Sequence, residues 1–160
     1  MAKSKVTKAV EKNDKLVAEI TKLRDNNTCS ICNKTKEKDG VTLHYHHAVK
    51  PKRASFQLRF DSRNCVTLCS GCHFKIHGDS SMVWVDYWRA KFRTIISLAL
   101  EDDLIVKHNT GTLKRNLGSM AELNIQLKEE LKMLKNSAVD DNSNNIYLRE
   151  ASPLCELPQI

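Results

Sequence analysis

Apolar residues open the chain on a four-three spacing. Val6, Val10, Val17 and Ile20 fall in one row, with Asn13 inside it and Leu16 and Leu23 alongside. This period predicts an amphipathic helix over 4–24 with a Lys-rich outer face. Asp25-Asn26-Asn27-Thr28 then stops it. Residues 34–40 are a polar loop ending in the turn pair Asp39-Gly40. The stretch 41–49 alternates weakly and is rich in β-formers, so it predicts a strand. A basic loop opened by Pro51 follows, and Cys65-Val66-Thr67-Leu68 reads as the return strand. A short helix beginning at Ser70 or Gly71 runs through His77 to Gly78.

The second half reads as helical. Trp84, Tyr87, Trp88, Phe92, Ile95, Ile96 and Ala99 make a broad apolar stripe, which predicts one helix over about 81–100 packed on the preceding block. A base-stacking role for Trp84 or Trp88 is the lesser alternative. Asn109-Thr110-Gly111 breaks the chain. Ser119-Met120-Ala121-Glu122 has the form of a capping box, opening a helix to about Lys135 with Met120, Leu123, Leu127, Leu131 and Leu134 on one side. The stripes of the first and last helices suit packing within the chain or a homodimer. The expected class is α+β, in four segments: a basic helix (1–25), a compact block (26–80), a helical region (81–136) and a flexible, acidic tail (137–160).

Charge sharpens this picture. The net charge is +7, and residues 1–60 carry 14 Lys/Arg against 6 Asp/Glu, a balance of +8. Such a face suits phosphate backbones, although a solvated Lys-rich helix would look the same. No apolar run approaches a membrane span, so no membrane partner is expected. The segment 1–15 lacks an apolar leader core. With the cysteines paired in knuckles, this points to a cytoplasmic protein that binds zinc in preference to forming disulfides.

The densest chemistry lies between Cys29 and His77. Cys29-x2-Cys32 and Cys69-x2-Cys72 supply four thiolates, a set that closes around a structural Zn²⁺. Cys65 is a competing ligand and Cys155 a free thiol. A block this small needs such a staple. Through it runs an imidazole set: His46-His47 on the strand, then His73-x3-His77 one helical turn apart. His46, His73 and His77 can hold a second divalent ion with coordination positions left open. Strand neighbours face opposite ways, so His47 is free to act as a general base. His44 reads as a supporting residue and His108 as an exposed loop residue.

Tyr45-His46-His47-Ala48-Val49, followed by Arg63-Asn64-Cys65-Val66-Thr67-Leu68-Cys69-Ser70-Gly71-Cys72-His73-Phe74-Lys75-Ile76-His77, resembles the HNH (His-Me finger, ββα-metal) endonucleases. The resemblance implies a zinc-stapled ββα-metal core, with His47 as general base and one catalytic metal on His46, His73 and His77. It also implies that Asn64 orients the loop behind His47, a role the residues alone do not give. Leu58-Arg59-Phe60-Asp61-Ser62-Arg63-Asn64 is similar to the phage Rap/NinG recombination endonucleases, and the layout is similar to phage endonuclease VII, a dimeric junction resolvase. The expected function is then metal-dependent cleavage of DNA, with branched DNA as the leading substrate. The expected catalytic ion is Mg²⁺, with Mn²⁺ or Zn²⁺ as alternatives. Lys50, Lys52, Arg53, Arg59 and Arg63 are expected to touch phosphates. An HNH nickase of the homing or packaging type, or a zinc-stapled DNA-binding module without catalysis, are the competing readings.

Overall fold

A computed structural model describes residues 2–78 and 82–140. Helix α1 spans Lys5–Arg24, opened by Ser4, whose hydroxyl accepts from the Thr7 amide, and closed by Asp25. After it, Asn26, Asn27 and Asn33 take left-handed backbone angles, φ 52°, 50° and 58°, which short polar side chains tolerate best after glycine. Asn33 closes the first cysteine turn: its amide reaches the Cys29 carbonyl, and the Cys29 amide reaches Lys34. Within the expected polar loop, one turn of helix, α2, spans Lys36–Asp39 and ends at Gly40 in the left-handed region.

Strand β1 (Leu43–His47) pairs antiparallel with β2 (Cys65–Cys69), with His46 opposite Val66 and His47 opposite Cys65. β1 is shorter at both ends than the predicted 41–49. A turn of 3-10 helix, Ser62–Asn64, leads into β2, and α3 (Ser70–Gly78) leaves it directly. The sheet separates two apolar clusters. On one face Val10, Val17, Ile20, Phe60 and Cys65 pack with Met120, Leu127 and Leu131. On the other Leu43, Val66 and Leu68 pack with Trp88, Phe92 and Ile96. β2 is buried at every position.

The helical half departs from the sequence reading. The predicted helix over about 81–100 is two helices, α4 (Met82–Ile95) and α5 (Leu98–Thr110). Ser97 divides them, its hydroxyl accepting from the Leu100 amide. α5 was not anticipated beyond Leu100, and it docks on the 3-10 turn through Lys107 to Asp61 and Asp103 to Arg63. His108 lies on α5, half-buried, instead of in an exposed loop. Helix α6 (Leu117–Asp140) is capped by Asn116, whose side chain accepts from the Ser119 amide, so Ser119 is inside the first turn and not the cap. The side chain of Trp84 and the tail beyond Asp140 lie outside the described residues.

The two stripes that suited a dimer face each other, because α1 packs along α6. Asn13, 1% exposed, belongs to this seam. Its amide donates to the Met120 carbonyl at 2.9 Å and its oxygen accepts from Asn124 at 2.7 Å. A polar pair of this kind fixes the register of an apolar seam. Asn13→Ala removes both bonds from the buried seam and is expected to lower the unfolding free energy by about 1–3 kcal/mol, read from the urea midpoint. An unmoved midpoint would deny these bonds any share in stability.

Candidate metal centres and the histidine site

The cysteine turns come together because β1, β2 and the first turn share one backbone network. The Ser30 amide donates to the Thr67 carbonyl and the Ser70 amide to Thr42. The Sγ atoms of Cys29, Cys32, Cys69 and Cys72 lie within 4.8 Å of one another, Cys32 and Cys69 at 3.6 Å. A tetrahedral ion with Zn–S near 2.3 Å needs sulfurs roughly 3.8 Å apart, so the set fits a structural zinc. Four thiols so close resist ionising together. Contact with the Cys72 thiol holds Cys29 down at about 4. Burial, and after it the Cys29 thiolate, pushes Cys32 up to about 11, while contact with Cys29, and after it burial, raises Cys72. A dication removes that penalty. Cys65 is no ligand: buried, it points its thiol at the Asp61 carbonyl, and burial pushes it up to about 12.

The nitrogens of His46, His73 and His77 also lie within 4.8 Å of one another. Their ring centroids are 4.8 to 5.4 Å apart. The i, i+4 spacing on α3 sets two of them, and Cys72 lies in the first turn of α3, directly before His73, so the thiolate cluster also places His73. Strand alternation sends His46 and His44 to this face. His46 stacks on Phe92 at 5.3 Å and His44 on His73 at 5.3 Å. Burial, then the neighbouring His73 and His77, hold His46 at about 3, and burial and His77 lower His73. Neutral imidazoles keep their lone pairs, and three of them fit one divalent ion with positions open.

His47 turns to the opposite face, toward α1. Its Nε2 lies 3.0 Å from the Arg59 carbonyl. A carbonyl only accepts, so Nε2 carries the proton and Nδ1 is the bare nitrogen of the neutral ring. Burial lowers its proton affinity, the Arg59 bond partly opposes this, and Lys52 lowers it again. Asn64, 0% exposed, ties the intervening loop to β2. Its oxygen accepts from the Val49 and Lys50 amides, and its amide donates to the Lys50 and Leu58 carbonyls. The loop that presents the Arg59 carbonyl therefore hangs on Asn64.

One supporting residue escaped the sequence reading. Asp14, buried on α1, receives Arg59 through two bonds, at 2.9 and 2.6 Å, and Lys52 at 2.8 Å. Burial alone would raise its carboxyl, but the Arg59 and Lys52 bonds outweigh that and hold it below the usual value. The signal was an acid at helical spacing from both Val10 and Val17, within the apolar row. Arg63 is likewise engaged, by Asp61 and Asp103. Thus Lys52, Arg59 and Arg63 serve as internal counterions. Lys50 and Arg53 have no ion pair among the described residues, and Arg53 is exposed.

No family model matches the chain, and no curated protein or solved structure matches it either. Among the described residues no helix is long and apolar enough to cross a membrane.

Cys29→Ser removes one of four thiolates and is expected to abolish stoichiometric zinc and the cooperative thermal transition of the block. Full zinc content with a native melting curve would contradict the structural assignment. The pH dependence follows from His46. Its folded value, about 3, lies below an unfolded value near ~6.5. Its contribution is present above the unfolded value and is lost as pH falls toward the folded one. Without added divalent metal, His46→Phe is expected to flatten the fall of unfolding free energy over that window by up to about 1.4 kcal/mol per pH unit. Parallel pH slopes in urea titrations would refute it.

Proposed function

We propose that this protein is a metal-dependent nuclease of the HNH kind that hydrolyses phosphodiester bonds in DNA. The observation that carries the reading is the division of labour along β1. His46 joins His73 and His77 in one cluster, while His47, the next residue, keeps a bare Nδ1 on the other face. A module that only bound DNA would have no use for a tautomer-fixed imidazole beside an open ligand set.

When bound at His46, His73 and His77, a divalent ion supplies positive charge to the phosphate and its leaving oxygen. An all-imidazole set suits a borderline ion such as Zn²⁺ better than Mg²⁺ or Mn²⁺, which prefer oxygen ligands. His47 takes a proton from the attacking water at Nδ1. Its depressed proton affinity keeps the ring neutral near pH 7, so the base is ready without prior deprotonation. The Nε2 bond to the Arg59 carbonyl holds the ring during that transfer and strengthens as the imidazolium forms. Asn64 and Asp14 are positioning residues: one fixes the loop backbone, the other clamps the Arg59 side chain.

Phosphate contacts fall first to Lys50 and Arg53. Lys5, Lys8, Lys12 and Lys15 add an exposed row at helical spacing on α1. None of these reads bases, so the cut is selected by DNA structure more than by sequence.

His47→Ala is expected to lower plasmid nicking at least ~100-fold, the scale of a lost general base, while DNA binding and zinc content stay at wild-type values. Equal nicking by the two proteins in the presence of Mn²⁺ or Zn²⁺ would remove the base assignment.

A further inference from the structure

Three imidazoles around one point do not by themselves make a ligand set. The lone pair that binds an ion lies in the plane of the ring, so each ring must also be turned to face the ion. The torsion that turns a histidine ring is broad, unlike the staggered torsion next to the backbone. A fixed backbone therefore leaves the ring plane open. A ligating histidine commonly closes that freedom with a hydrogen bond from its second nitrogen to a carboxylate or carbonyl. Among the described residues His46, His73 and His77 have no such bond, whereas His47 has one.

Flat ring contacts take its place. His46 lies on Phe92, with centroids 5.3 Å and planes 18° apart. His73 lies on His44, at 5.3 Å and 13°. The contacts inside the cluster are steep, at 58°, 75° and 81°. His77 is exposed and has contacts of this steep kind alone among the described residues. Phe92 belongs to the core, 7% exposed, and passes its fixed plane to His46. His73 rides on α3, which buries no residue. The Cys72 amide, bonded to the Cys69 sulfur at 3.4 Å, holds the backbone before it but does not reach the ring. His44 stands on β1 opposite Leu68, in the paired ladder. The better-anchored element thus steadies a ring carried by the less anchored one. His44 itself is not in the set whose nitrogens converge.

We propose that His44 is a positioning residue of the histidine site: lying flat on His73, it turns that ring's lone pair toward the ion without being a ligand. This rests on the metal site of the nuclease reading above. It is tested by calorimetric titration with Zn²⁺ of full-length protein that already holds one equivalent of zinc. Wild type is expected to take a second equivalent. His44→Leu fills the position without a flat ring and is expected to bind that equivalent about 10–100-fold more weakly, the scale of losing an outer partner of a metal ligand. His44→Phe keeps a ring on His73 and is expected to restore the wild-type affinity. Co²⁺ at the second site gives a visible absorption band that reports coordination geometry. His44→Leu is expected to shift this band and His44→Phe to leave it in place. Circular dichroism and the retained first equivalent serve as folding controls. Wild-type affinity in folded His44→Leu overturns the proposal. So does a folded His44→Phe that binds the second equivalent weakly, whatever His44→Leu does, because a nitrogen of His44 would then be at work. If wild type takes no second equivalent, or His46→Phe keeps it, the metal site and the nuclease reading fall together. A second equivalent that needs His46 but ignores His44 removes the positioning role alone.

Discussion

The site depends on one register. Opposite Val66, His46 meets the α3 histidines, and opposite Cys65, His47 meets Arg59. A slip of one residue between β1 and β2 would exchange the faces of the two histidines and dissolve both arrangements. Two strands of five residues cannot fix this by themselves, since an isolated pair is marginal in water. The register is held from outside the ladder. At one end Asn64 binds the chain leaving β1; at the other the four sulfurs gather the first turn and the start of α3. Along the middle, the Thr67 amide donates to Asp25, and Arg24 donates to the Ser62 and Cys65 carbonyls. Those two residues end α1, so the first helix is part of the frame and not an appendage.

Seen in this way, α1 does three things with one sequence. Its apolar row covers α6, its C-terminal Arg24 and Asp25 grip β2, and Asp14 in its middle grips the loop behind His47. The Asp14 arrangement also answers an electrostatic difficulty. A buried carboxylate alone would be costly, and so would two cations crowding a half-buried imidazole. Placed together, the carboxylate neutralises Lys52 and Arg59 and leaves His47 in a nearly balanced field. Asp61 does the same for Arg63 and Lys107 on the other side of the 3-10 turn. The basic excess of the chain is therefore less available to phosphates than its composition suggests.

Much of this was legible in the sequence because it is written in spacing. The thiolate knuckles, the i, i+4 histidines and the His46-His47 pair each encode a geometry within a few residues: the fold gathers the first two sets and turns the adjacent pair to opposite faces. Elements with local signatures, α1, β2 and α3, were found nearly to their ends. What was missed depends on contacts distant along the chain. The bond between Asp14 and Arg59 spans 45 residues and has no local pattern. α5 was hidden because Ile95, Ile96 and Ala99 continue the α4 stripe across Ser97, and a single N-cap serine is a weak signal against an unbroken apolar row. Ser119 was mistaken for a cap because its capping-box partner, Glu122, is present, although Asn116 performs the task.

The two candidate centres are separated chemically while being adjacent in the chain, and that adjacency has a physical logic. Cys72 and His73 are consecutive, so the closed sulfur site rigidifies the first turn of the helix that carries the open imidazole site. Ligand type and number set the two apart: four thiolates would fill a tetrahedral ion, whereas three imidazoles would leave positions open. Rigidity has to come from the thiolate side because α3 buries no residue of its own. A helix of nine residues with so little covered surface would fray in water. Anchored at Cys69 and Cys72 and stacked through His44, it holds two rings about 5 Å apart. The thiolate cluster thus does more than close a small block, since the placement of the His73 and His77 rings follows from it.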